Sequence, residues 1–82
     1  MAQIPYADST GHLNVEVELS YAADVFLVDS YNFSKYQSGQ QFTYYGGHYT
    51  KTPVRISVNG VGRWYLIVDY GGSAQQYKYR FY

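Results

Sequence analysis

Strict alternation of apolar and polar side chains runs through Leu13-Asn14-Val15-Glu16-Val17-Glu18-Leu19. A period of two commits a segment to a β-strand with one buried face, because a helix would space its apolar residues three and four apart. The same period returns in Val54-Arg55-Ile56-Ser57-Val58. It recurs where Trp64, Leu66 and Val68 stand against Tyr65 and Ile67, and in Tyr77-Lys78-Tyr79-Arg80-Phe81-Tyr82. In that last run Tyr77, Tyr79 and Phe81 point inward, Lys78 and Arg80 outward. Ala23 to Asp29 differs, since Val25 and Leu27 face one way while Phe26 and Val28 face the other. A strand apolar on both faces is central and covered twice, or it faces a partner. The outward row Asn14, Glu16 and Glu18 discourages edge-to-edge pairing if its strand lies at a sheet margin.

The segments between these runs carry turn chemistry. Asp29 or Ser30 is an N-cap, Gly39 a C-terminal stop, and Phe33 and Tyr36 lie three apart, which predicts one or two helical turns or a structured loop. Phe33 is expected to plug the open end of a sandwich. Gln40 to Tyr45 and His48 to Thr50 read as strand interrupted by a bulge or bend at Gly46-Gly47. Pro53 is tolerated at the entry of the next strand, and Pro5 marks Ile4 to Ala7 as a weak edge strand. Asn59-Gly60 is a strong hairpin signal, and Gly71-Gly72-Ser73 a flexible turn. The sum is six to eight short strands: an all-β, small antiparallel β-sandwich, jelly-roll-like or a flattened barrel, with one short helical turn, as a single domain over residues 1–82.

A chain of 82 residues buries only about 60–65% of the surface its unfolded form exposes, so small folds usually need a staple. With no cysteine, disulfides and thiolate metal sites are excluded, and aromatic area must serve instead. The chain has 12 Tyr, 4 Phe and 1 Trp, and so many hydroxylated rings exceed what the core can hold. Some must reach the surface, where they cover two-faced strands or supply contact area for binding. Zero formal charge argues against nucleic acid and anionic membrane as partners. Neither a signal-peptide pattern nor a run approaching the ~20 residues of a membrane span is read, so a soluble, cytoplasmic protein is expected.

Candidate chemistry is sparse. His12 and His48 lack close spacing, so a metal site with Asp8 is not expected, and no cofactor is. Asp24, Asp29 and Asp69 could supply paired carboxylates, but Asp29 and Asp69 stand beside turns, where aspartate caps backbone N–H groups. Nothing resembles a nucleophile elbow or a phosphate-cradling loop, so no catalytic residue is assigned and the chain is not read as an enzyme. The rings and cations of the last strand alternate onto opposite faces, unlike a single-strand stacking platform. A protein partner or self-association is therefore expected. If the last two apolar strands pair, Tyr65, Ile67, Arg80 and Tyr82 share an outer interaction face, and Tyr and Arg are hot-spot types. The alternative is a small-ligand domain binding a sugar or nucleotide in a cleft near Asn32, Tyr36, Tyr45 and His48.

Larger blocks carry a resemblance. Asp29-Ser30-Tyr31-Asn32-Phe33, Tyr45-Gly46-Gly47, Pro53, Gly62-Arg63-Trp64-Tyr65 and Asp69-Tyr70-Gly71-Gly72 stand in this order. From about Val15 to Gly72 the chain resembles a bacterial family catalogued as domain of unknown function 1883. The resemblance implies a small β-sandwich without assigned activity, found alone or joined to TIR-like domains of bacterial signalling or antiphage defence. It implies a sensor, adaptor or assembly module, and no catalytic residues to carry over. The matching residues read as structural caps, bends and, at Trp64, a core anchor.

Overall fold

The computed structural model describes residues 4–71 and 76–82. Among these, five strands and one helix follow in the order β1 (Tyr6–Leu19), β2 (Ala23–Asp29), α1 (Ser30–Gln37), β3 (Tyr45–Tyr49), β4 (Val54–Asp69) and β5 (Tyr77–Phe81). They form one antiparallel sheet in the order β3-β2-β4-β1-β5. The fold is all-β with one short helix, as the alternation required.

The long strands β1 and β4 pair without interruption from Tyr6↔Tyr65 to Val17↔Val54. Beyond that, β4 hands its C-terminal half to β2, from Trp64 opposite Asp29 to Asp69 opposite Asp24. The C-terminal half of β1 pairs with β5, from Val15↔Phe81 to Leu19↔Tyr77. One face of this open sheet carries Leu13, Val15, Val17, Val54, Ile56 and Val58 from one half, and Ala23, Val25, Leu27, Trp64 and Leu66 from the other, in a single core. Val15, Val17, Val25, Leu27 and Leu66 are fully buried, although the helix lies on the opposite face. The sheet therefore curls so that its two halves cover each other.

The curl explains why Asn59-Gly60 makes no hairpin. Gly60 stands opposite Gly11 and Gly62 opposite Ser9, inside one unbroken ladder. Their places on the concave face hold almost no side chain, and that is where two halves of a sheet can fold toward each other. Gly60 takes φ +142°, whereas no non-glycine residue among those described has positive φ, so Asn59 does not adopt the turn that a hairpin needs. The Trp64 Nε1–H closes the corner by donating to the Gly60 carbonyl at 3.3 Å. Two expected pairs of short strands thus merge into two long ones, giving five strands instead of six to eight. Ile4 to Ala7 is likewise not a separate strand, since β1 starts at Tyr6.

A second, smaller core covers the outer face of β2 and β4. Phe26, Val28 and Ile67 are buried there beneath Ile4, Phe33, Tyr36, Phe42 and Tyr65. Apolar residues on both faces of β2 anticipated this double cover. Helix α1 begins where expected, as Asp29 Oδ1 accepts from the Asn32 N–H at 2.8 Å. Phe33 does not plug an open end. It stacks face to face on Tyr65, centroids 3.9 Å apart, and clamps the helix to the sheet. Gln40 to Tyr44 is not strand; Asn32 Oδ1 accepts from the Thr43 N–H at 2.9 Å, and Phe42 and Tyr44 pack their rings on Phe26. The expected turn at Gly71-Gly72-Ser73 lies outside the described residues from Gly72 onward.

Candidate interaction surface

The outer face of the β4–β1–β5 half is a polar ladder built by cross-strand register. His12 Nδ1 lies 2.8 Å from Asn59 Oδ1, and the Ser57 hydroxyl donates to Asn14 Oδ1 at 2.6 Å. Glu16 accepts from Arg55 Nε at 3.1 Å on one side and meets Arg80 at 3.6 Å on the other. Further along β1, the Arg63 guanidinium donates to Asp8 at 3.0 Å and lies 4.2 Å over the Tyr6 ring. That hydrogen bond holds the Asp8 carboxyl below the ordinary aspartate value and raises Arg63 further still.

The sheet ends at two edges, β3 and β5, which are not paired with each other among the described residues. They are built differently. β3 is Tyr45-Gly46-Gly47-His48-Tyr49, and a Cβ at Gly46 would fall on the Val25 carbonyl oxygen of β2. β5 sets Tyr77, Tyr79 and Phe81 in a row on the concave side, with ring centroids 6.1 and 5.7 Å apart. Tyr77 and Phe81 pack against the main core, while Tyr79 stays 49% exposed. Burial, then the neighbouring Tyr79 and Tyr70, pushes the Tyr77 hydroxyl above its ordinary value.

The four residues expected to share an outer face are not brought together. β5 pairs with β1 and not with the C-terminal half of β4. Ile67 is only 5% exposed under the helix side, and Tyr65 is half-buried between Phe33 and Tyr6. Arg80 and Tyr82 do stay together, with the guanidinium 4.8 Å over the Tyr82 ring. The alternative cleft is dispersed as well. Asn32 is committed to Asp29 and Thr43, and Tyr36 packs on Phe26 and Phe42. His48 pairs with Asp24 at 2.9 Å on the outer face, whereas Tyr45 turns to the concave face and meets Trp64 edge-on. Asp29 and Asp69 both cap backbone, Asp69 accepting from the Gly71 N–H at 2.8 Å. Among the described residues no three His, Cys, Asp or Glu converge in metal-binding geometry, and no helix is long and apolar enough to cross a membrane.

A curled antiparallel sheet with a helix clamped to one face defines a small all-β module whose distinctive exposed feature is an aromatic edge strand. The chain belongs to the family described as Domain of unknown function (DUF1883), whose model matches residues 8–79. No curated protein and no solved structure matches it.

Proposed function

We propose that the domain is a non-catalytic protein-interaction module of the bacterial cytoplasm, an adaptor for a separate partner such as a TIR-like signalling protein. The observation that carries the proposal is β5: a sheet edge without a neighbouring strand among the described residues, with an aromatic row along its concave side and Tyr79 half exposed. A free edge supplies a row of backbone donors and acceptors, and flanking rings supply apolar area at low entropic cost. Tyr21 and Tyr31 are exposed off the sheet, in the β1–β2 connection and on the helix, while Tyr6 and Tyr45, exposed on β1 and β3, each pack one ring against a neighbour, Tyr65 and Trp64.

The test is site-specific photocross-linking in the cell of origin. A benzophenone amino acid at Tyr79 is expected to give a discrete protein adduct that the same group at Tyr21 does not give. Equal labelling at both positions, or none at Tyr79, refutes β5 as the working surface.

A further inference from the structure

The phase of the β5 hydrogen bonds identifies what the edge can take. Asn14 and Tyr82 exchange both backbone hydrogen bonds, each at 2.9 Å. In an antiparallel ladder such closely bonded pairs alternate along the strand, so Tyr82, Arg80 and Lys78 turn their N–H and C=O groups toward β1. Tyr77, Tyr79 and Phe81 must then turn theirs toward the free edge. Three donors and three acceptors are thus offered by the same residues whose rings line the concave side.

The same phase fixes the charges. A strand added to β5 would meet Tyr77, Tyr79 and Phe81 in hydrogen-bonded pairs, and Lys78 and Arg80 in non-hydrogen-bonded pairs. In the latter, Cα atoms stand only about 4.5 Å apart and side chains are closest. β5 itself contains no carboxylate. Glu16, the acid in register with Arg80 on β1, is shared between Arg55 and Arg80. Lys78, in register with Glu18, has no carboxylate within 4 Å among the described residues. A second copy paired antiparallel about Tyr79 would set Lys78 against Arg80, and like charges directly opposite are destabilising. That register, the one that pairs all of β5, is thus disfavoured for a second copy, and the cations of β5 are complementary to acid.

Resting on the reading of β5 as the interaction surface, we infer that its partner is an extended acidic segment. That segment adds to the sheet as a sixth strand, with apolar side chains opposite Tyr77, Tyr79 and Phe81 and a carboxylate opposite each of Lys78 and Arg80.

The experiment measures fluorescence anisotropy of the whole chain with a labelled peptide, acetyl-Thr-Val-Glu-Val-Glu-Val-Thr-amide. Matched peptides carry Gln or Lys in place of both Glu residues. The acidic peptide is expected to bind about tenfold more tightly than the Gln peptide, the Lys peptide weakest, with the gap closing at high salt. N-methylation of the three valine amides, which requires no change in the protein, is expected to abolish binding. Lys78→Gln should reduce the preference for Glu over Gln to about threefold. Equal binding of the Glu, Gln and Lys peptides overturns the acidic partner while leaving β5 as an interaction edge. Tight binding that survives N-methylation, or no binding by any peptide, overturns strand addition altogether. A dimer in light scattering that Lys78→Gln strengthens would show a second copy as the occupant and overturn the inference in that way.

Discussion

At the scale of single residues, two neighbouring glycines do unlike work. Gly46 takes φ +150°, and an added Cβ would stand 2.7 Å from Phe26 Cα and closer still to the Val25 carbonyl oxygen. Both obstacles are backbone of the paired strand, so nothing small can yield. Gly46→Ala is expected to cost about 2–4 kcal/mol in urea unfolding, through strain and overpacking together. Gly47 has open space around its missing Cβ. There Ala should be neutral or stabilise by up to about 1 kcal/mol, since it restricts the unfolded chain. Equal effects at both positions would sink the claim that close approach to β2 dictates Gly46. Tyr77 gives a second residue-scale expectation. Its hydroxyl ionises above the ordinary 10.0 because burial, then Tyr79 and Tyr70, disfavour the phenolate. The unfolded chain therefore loses this proton first as pH rises. Its contribution is intact below the ordinary tyrosine value and is lost as pH climbs through the folded value. Between about pH 9 and about pH 11, wild type should lose more melting temperature than Tyr77→Phe, in a comparison that cancels the other tyrosines. Identical losses would assign the alkaline sensitivity elsewhere.

At the scale of elements, legibility depended on whether the signal was local. Alternation in Leu13 to Leu19 gave a strand because one face of β1 is buried and the other carries a hydrogen-bonded polar ladder. The two-faced run at Val25 to Val28 gave a doubly covered strand because the main core lies on one side and the helix-side core on the other. Asp29 announced the helix because capping is settled within three residues. Asn59-Gly60 misled for the opposite reason. A hairpin signal states which residues tolerate a turn, whereas the place of a glycine in a curled ladder depends on Gly11, nearly fifty positions away. The segment from Gln40 to Tyr44 misled similarly: its aromatic alternation is real, but the rings serve Phe26 and Tyr36 from outside the sheet. The candidate site failed at this same step. Which strand lies beside β5 is not written in β5, so alternation alone allows Tyr65 and Ile67 to stand beside Arg80 and Tyr82, through a pairing the sheet does not make. Facing within each strand was right; neighbourhood between strands was not.

At the scale of the whole molecule, one sheet separates two cores that share strands but face opposite ways. The main core fills the curl with aliphatic side chains and Trp64, and the helix-side core is mostly aromatic. Without disulfides, a domain of this length holds about 4–12 kcal/mol in total, so mild substitutions are the right probes of how the cores are coupled. Val25 is fully buried in the main core, and Val25→Ala should cost about 1.5–3 kcal/mol from lost methyl burial and the cavity left behind. Phe33→Leu keeps much of its volume but ends the stack on Tyr65, for about 1–1.5 kcal/mol. Because the sheet backbone stands between these two side chains, the double variant should be additive within about 0.5 kcal/mol. Phe33→Leu combined with Tyr65→Leu removes one stack twice, so that pair should fall short of the sum by about 0.5–1.5 kcal/mol. Urea titrations of the three single and two double variants decide the matter. Additivity of the stacked pair would mean that Phe33 and Tyr65 do not clamp the helix as a unit. Strong coupling between Val25 and Phe33 would mean that the sheet transmits packing strain from one face to the other. In that case a strand added at β5, which extends the concave face beside Tyr77 and Phe81, should also be felt at the helix, and the stacked ring of Tyr65 is where that would be read.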